Sequence, residues 1–309
     1  MIQIYGAGVA GTYLYHLLTK EGYDVSIYDV RNDVDCRCAW AFAYKEAKEL
    51  YSLIDLNVKD YVLSNPEYIY ANGIPLKNKN IVILEKRRLL KDLWVKFEKK
   101  DADLYIDATG SERAYLPKIK KDRLLPTIQF VEDHEKDENI YVHVSSKGYS
   151  WAFPLGNNRW HIGAGALNEG IAFELIKKLR EKYEFDEKNV FCSCRGKVRM
   201  LPPSKCKPFV FEKIVGVGEA IGCVSGAGEG NVPSLISAKI LFDSLNCLEK
   251  YEDKILKELW WIEEEQKFVD AMLEGKKMQM LKILPKVVEF ESKRTVEHTI
   301  STFLKIIGL

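Results

Sequence analysis

The chain carries almost no net charge. Its 46 lysines and arginines stand against 45 aspartates and glutamates, a balance of +1. That excludes the basic footprint by which nucleic-acid-binding domains hold phosphate, so no nucleic-acid partner is expected. No uninterrupted apolar run approaches the roughly 18 residues of a membrane span, so any membrane contact is expected to be peripheral. The opening MIQIYGAG enters a strand and a glycine turn without the basic and apolar regions of a secretory signal. A cytoplasmic protein is therefore expected. Glutamine is scarce while lysine, glutamate, isoleucine and tyrosine are plentiful, which leans towards a thermophile. Internal repeats, low-complexity tracts and flexible linkers are also missing, so the domains are expected to interleave.

Cysteine gives little purchase. There are seven, an odd number, and in a cytosolic chain the default is the reduced thiol. Two C-x-C pairs occur, Cys36/Cys38 and Cys192/Cys194. Zinc sites favour C-x₂-C, and these pairs are far apart, so no metal is expected.

What is present begins with residues 1–31. A four-residue apolar run leads to Gly6, Gly8 and Gly11 in the pattern G-x-G-x-x-G. Ala10, Leu14, Leu17 and Leu18 then recur at helical spacing, Gly22 suits the helix end, and DVSIYD makes a strand closing on Asp29. Gly6 allows a tight turn, Gly8 lets backbone approach a pyrophosphate, and Gly11 lets helix and strand pack closely. The helix N-terminus offers N–H groups to phosphate, and Asp29, followed by Val30, is placed for ribose hydroxyls. The pattern points to an adenine dinucleotide and does not choose between FAD and NAD.

Further along, a strand is expected at 80–85, a helix at 86–98, and a strand ending in Ala108-Thr109-Gly110. From 124 to 166 the texture changes to strands separated by glycine and Asn-Asn turns, the signature of an antiparallel sheet. A helix at 168–183 and a strand near 189–200 follow. Then a strand at 214–217 leads to Gly218-Glu219 and a loop holding Gly226, Gly228 and Gly230, with Asn231 at its end. A helix starts near Pro233, a good first-turn residue. A glycine loop feeding a helix is a second anion site, and two such sites favour FAD over NAD. The segment 249–307 reads as largely helical. Within 148–156, Tyr149, Trp151 and Phe153 alternate, so their rings share one side of a strand that reaches Pro154. They suit either a ligand wall or a packed core.

In this order, the motifs resemble the geranylgeranyl reductase family of para-hydroxybenzoate hydroxylase-type flavoproteins. The likeness spans about 1–245, and Y-x-W-x-F-P is its specific part. It implies an α/β fold, α+β overall: a Rossmann-like FAD-binding domain (1–60, 78–112 and 205–247) interleaved with an antiparallel-sheet substrate domain (61–77 and 113–204), and a C-terminal helical segment (248–309). It implies that Gly6, Gly8, Ala10, Gly11, Asp29, Val30, Ala108, Thr109, Gly110, Gly218, Glu219, Gly228, Gly230 and Asn231 contact FAD, with Lys86 or Arg87 as a basic contact. Cys38 matches a loop cysteine beside the flavin, with a role in assisting protonation or shaping the site. Tyr149, Trp151, Phe153 and Pro154 would line an isoprenoid pocket.

The implied activity is reduction of isolated C=C bonds in a prenyl lipid, by hydride from reduced flavin, with NADPH or ferredoxin as electron donor. A monooxygenase or dehydrogenase acting on another apolar substrate, or a non-catalytic flavin- or lipid-binding protein, are the alternatives. This chain departs from the family in having Glu219 where the family has Asp, and Ala39 rather than glycine after Cys38. Its C-terminal region is also reduced.

Overall fold

The computed structural model describes residues 1–34, 39–186 and 190–308. Buried aliphatic runs at 2–5, 25–28, 104–107 and 214–216 make four parallel strands, in the order Ile214–Gly216, Leu104–Asp107, Ile2–Tyr5, Val25–Tyr28. Val210–Phe211 adds an antiparallel edge to Ile214–Gly216. The central strand aligns Ile4 with Ile27 on one side and Ile106 on the other, all without solvent exposure. Such continuous burial is what a parallel sheet demands. The helices Val9–Lys20 and Asn231–Phe242 pack together in its core.

The second layer is an eight-stranded sheet. Its order is Val190–Arg199, Leu124–Asp133, Arg159–Ala166, Gly148–Gly156, Ile140–Ser145, Tyr68–Ala71, Ile74–Asn78 and Val296–Glu297. All pairs are antiparallel except Ile140–Ser145 with Tyr68–Ala71. Alternation sorts its residues. Ala152, Ile162, Ala164 and Ala166 pack under the helix Glu169–Tyr183, which begins where the Asn168 side chain caps the Ile171 N–H. The alternate set faces the other way.

Ile81–Leu84 does not enter the parallel sheet. It is the centre of a three-stranded antiparallel sheet between Ala41–Ala43 and Val62–Ser64. The following helix runs only over Lys86–Asp92, shorter than its apolar spacing suggests. Tertiary contacts end it: Phe97 N–H donates to the Ile27 carbonyl and Lys100 N–H to Gln3 Oε1, drawing the chain alongside the parallel sheet.

The C-terminal segment holds the helices Tyr251–Glu258, Trp260–Leu273, Lys277–Arg294 and Ile300–Ile307. It also holds a strand that the helical reading missed, Val296–Glu297, which pairs with Asn78 and Lys77. The segment is thus stitched into the second sheet. Among the described residues no helix is long and apolar enough to cross a membrane.

Candidate functional site: a cavity between two glycine turns

The first strand ends in a turn that only glycine can make. Gly6 has φ +101°, and a Cβ there would lie 2.4 Å from the Ala108 carbonyl oxygen. A Cβ on Gly11 would lie 1.9 Å from the Gly6 carbonyl oxygen, so helix and strand are as close as backbone allows. Gly8 differs: no atom lies within 4 Å of its missing Cβ, and it faces a cavity of about 510 Å³ beside Ala10. The helix after it has no side-chain cap. An uncapped N-terminus with open space in front suits an anion.

Asp29 is buried at the end of Val25–Tyr28. Oδ2 accepts from Ala7 N–H at 2.7 Å, and Arg31 grips both oxygens, Nε at 2.8 Å and Nη2 at 2.6 Å. Burial pushes its carboxyl pKa up, but the Arg31 and Ala7 hydrogen bonds outweigh burial and hold it below the usual range. The carboxylate therefore orders the glycine turn before it meets any ligand. Val30 projects into solvent, 81% exposed, and does not line the cavity.

Asp107 builds the next rim. Its Oδ1 accepts from the Thr109 N–H and hydroxyl, and its Oδ2 from the N–H groups of Tyr115 and Leu116. Thr109 is thereby held to Asp107, while Ala108 and Gly110 line the cavity. Lys86 is buried there and donates to Asn231 Oδ1 at 2.6 Å, whereas Arg87 is exposed on the outer side. Gly218 and Glu219 also line it. Glu219 Oε1 accepts the Arg199 N–H at 2.6 Å, and Arg199, 1% exposed, pairs with Asp122.

The second glycine loop meets the aromatic strand. Gly228 has φ +82°, and a Cβ there would sit 1.9 Å from the Tyr149 hydroxyl. Tyr149, Trp151 and Phe153 all face the cavity, with ring centroids 5.5 and 6.1 Å apart along the ladder. Trp151 lies over Gly163, whose Cβ would meet the ring at 2.5 Å. Between them, Ser150 donates its hydroxyl to the Leu175 carbonyl on the helix side. Pro154 pairs with Trp160 and is not in the wall. Gly230 and Asn231 complete the far rim.

Cys38 lies outside the described residues, as does Cys36; Ala39 and Ala41 line the cavity. Cys192 and Cys194 lie on the edge strand Val190–Arg199, away from it. Sequence reasoning missed Gln129 and Thr127, which the alternation of 124–133 places on the same face as the aromatic ladder. It also missed Glu229, Glu291 and Thr295, for which no local pattern exists.

His161 sits beside the wall, 2% exposed, with Nδ1 unpartnered among the described residues and Trp40 edge-on at 4.6 Å. Burial pushes its pKa down to about 4. The unfolded chain binds this proton more readily, so stability is lost as pH falls from about 6.5 towards 4. The His161 contribution has a slope of about 1.4 kcal/mol per pH unit, about 3 kcal/mol over the window. Denaturant titrations of wild type and His161→Leu across this range should differ by that slope; parallel curves would refute it.

No protein-family model matches the chain. It is 25% identical to an uncharacterized protein of Methanocaldococcus jannaschii, over 86% of this chain and 90% of that one. Among solved structures it is similar to a geranylgeranyl bacteriochlorophyll reductase-like protein of Thermoplasma acidophilum (16% identity, TM-score 0.70, 94% of this chain and 98% of that one). A probable FAD-dependent monooxygenase of Pseudomonas aeruginosa, PqsL, gives 15% identity and a TM-score of 0.65 over 92% and 99%. A flavoprotein/dehydrogenase of Cytophaga hutchinsonii gives 14% and 0.67 over 89% and 86%. At these identities the likeness establishes the fold: a Rossmann-like α/β unit with an interleaved antiparallel sheet, the scaffold of FAD-dependent oxidoreductases and monooxygenases.

Proposed function

We propose that this chain is an FAD-dependent oxidoreductase that reduces isolated C=C bonds of a prenyl lipid. One observation carries the reading: a single cavity runs from the open cradle at Gly8, past Lys86 and the second glycine loop, to the apolar wall of Tyr149, Trp151 and Phe153. The cradle fits the cofactor. Two helix N-termini without side-chain caps border the cavity, Gly8–Ala10 and Gly230–Asn231, which suits an extended pyrophosphate-containing molecule.

Reduced FAD supplies a hydride when bound. The chain's residues supply the rest. Gly8, Gly218 and the helix N-termini would receive the phosphates, and Asp29, whose two oxygens already accept four hydrogen bonds from Ala7 and Arg31, would take a ribose hydroxyl only in exchange for one of them. The second helix N-terminus favours negative charge on the reduced ring. The aromatic wall with Ile69, Ala71 and Val142 excludes water and orients an apolar chain. Gln129 in the same wall favours a second reading, a monooxygenase or dehydrogenase whose apolar substrate carries a polar group.

The test is direct. The purified protein should be yellow or take up FAD, and after dithionite reduction it should add two hydrogens to a prenyl alkene, read by mass spectrometry. A colourless protein that takes up no flavin overturns the reading. Hydroxylated product with NADPH and oxygen replaces it with the second.

A further inference from the structure

The aromatic wall continues across the sheet, and the last helix closes its far end. Gln129, Gly163, Trp151, Val142 and Ala71 stand in register on five neighbouring strands, from Leu124–Asp133 to Tyr68–Ala71. All but Gly163 line the cavity, and Gly163 leaves room for the Trp151 ring. Neighbouring strands lie about 4.8 Å apart, so four steps make a slot about 19 Å long that runs across the strands. Ile69 and Leu76 pair beside Ala71 and also line it.

The two ends differ. At the first, Gln129 is buried and its Oε1 has no hydrogen-bond partner among the described residues, while Thr127 and Lys197 border the cavity beside it. At the second, Ala71 and Leu76 pack against Ile306 of the helix Ile300–Ile307, with Ile69, Val296 and Ile307 around them. Glu291 and Thr295 border this end from the side of Lys277–Arg294, but the Thr295 hydroxyl donates to Glu291, which lies 3.9 Å from Arg294.

The helix that carries Ile306 is fixed on both sides. Asn72 Nδ2 donates to the Ile306 carbonyl at 2.7 Å and to the Val144 carbonyl at 3.0 Å, and its Oδ1 accepts the Val144 N–H at 3.0 Å. The last turn is thereby tied to the strand Ile140–Ser145. From the other side Phe303 meets the Phe268 ring edge-on at 5.4 Å. Ile306 itself is 5% exposed. A close-packed wall of this kind yields little to a chain that is too long.

We propose that Ile306 is the end stop of the slot: the polar end of the substrate lies at Gln129, its prenyl tail runs across the strands past Trp151 and Val142, and Ile306 sets the longest tail that fits. The inference rests on the prenyl-lipid reading for its ligand and on the sheet register for its geometry. Each added carbon gains by leaving water until the stop is reached; beyond it the tail must displace packed side chains. The amide of Gln129 both donates and accepts, so it takes a neutral hydroxyl, which makes prenyl alcohols the probes.

The experiment uses the full-length chain with FAD bound and all-trans prenyl alcohols of increasing length, with binding read by quenching of tryptophan fluorescence. Affinity for wild type should rise with length and then drop sharply. Ile306→Ala should raise the affinity of the first alcohol that wild type excludes about tenfold or more, and Ile306→Phe should lower that of the longest alcohol it accepts by about as much, while the shortest alcohols bind as before. Gln129→Leu should weaken every length alike and leave the limit in place. Should Ile306→Ala not fold, Ile307→Ala, at the half-buried neighbour in the same cluster, makes the same test. A length limit that none of the folded variants moves, or a uniform loss at every length in the Ile306 variants, overturns the end stop and leaves the reductase reading standing. A wild type that shows the limit but reduces no alkene removes the reductase reading and leaves the end stop. A wild type that binds no prenyl alcohol of any length overturns the end stop together with the prenyl ligand.

Discussion

Gly11→Ala should unfold or severely destabilise the protein, whereas Gly8→Ala, three residues away, should leave the fold intact and remove flavin binding. At position 11 the new methyl would lie 1.9 Å from the Gly6 carbonyl oxygen and 3.2 Å from the Ala108 Cβ. Both neighbours are fixed. Gly6 is held by hydrogen bonding of its N–H to the Tyr28 carbonyl, and Ala108 by its N–H to the Tyr5 carbonyl. Relief requires the helix Val9–Lys20 to lift off the parallel sheet, at a cost of about 3 kcal/mol or more.

At position 8 the backbone φ is −86° and nothing in the protein lies within 4 Å, so the apoprotein should keep its stability within about 1 kcal/mol. The methyl would instead occupy the space through which a pyrophosphate approaches the backbone. FAD affinity should fall about 100-fold, or about 2.7 kcal/mol. Thermal unfolding of the apoproteins with flavin titration by fluorescence separates the two effects. Wild-type affinity in Gly8→Ala would remove the cradle from the cofactor site.

That contrast also marks what the sequence could show. The glycine spacing, the strand before it and the acid after it are local patterns, and each sits where spacing puts it. The same holds for the hairpin of Gly148–Gly156 and Arg159–Ala166, because alternation fixes the faces and Asn157 and Asn158 take the positive φ values, 52° and 61°, of a tight turn. Where long-range contacts decide, local pattern fails. The helix at 86 stops at Asp92 because Phe97 is claimed by Ile27. The strand Val296–Glu297 exists because Asn78 and Lys77 offer an edge. The seat of the Tyr149 hydroxyl on Gly228 joins two motifs read separately. The ion-pair network of Arg294 draws on positions 46, 229, 291 and 294, and no window of sequence contains them together.

Arg294→Leu should be among the most destabilising single changes in the C-terminal segment, about 3 kcal/mol at neutral pH, because it leaves the half-buried carboxylates of Glu46, Glu229 and Glu291 without their partner. The guanidinium is 9% exposed, bonds Glu46 and Glu229 and lies near Glu291, so three separate elements lose one tie. The stack on Trp261 goes with it. The sign of the pH dependence follows. Burial raises the Glu229 and Glu265 carboxyls above the usual range against the pull of Arg294, so without the arginine these two oppose folding more strongly when ionised and cease to do so as pH falls through their folded values. The stability gap between wild type and variant should therefore narrow towards acid, although wild type itself loses stability there through His161. Adding Glu229→Gln to Arg294→Leu should recover part of the loss at neutral pH, since one buried anion is removed. Urea titrations of wild type, single and double variants at neutral and mildly acid pH measure all three effects. A gap that stays constant with pH would mean that Arg294 acts through packing on Trp261 and Phe290 rather than through charge.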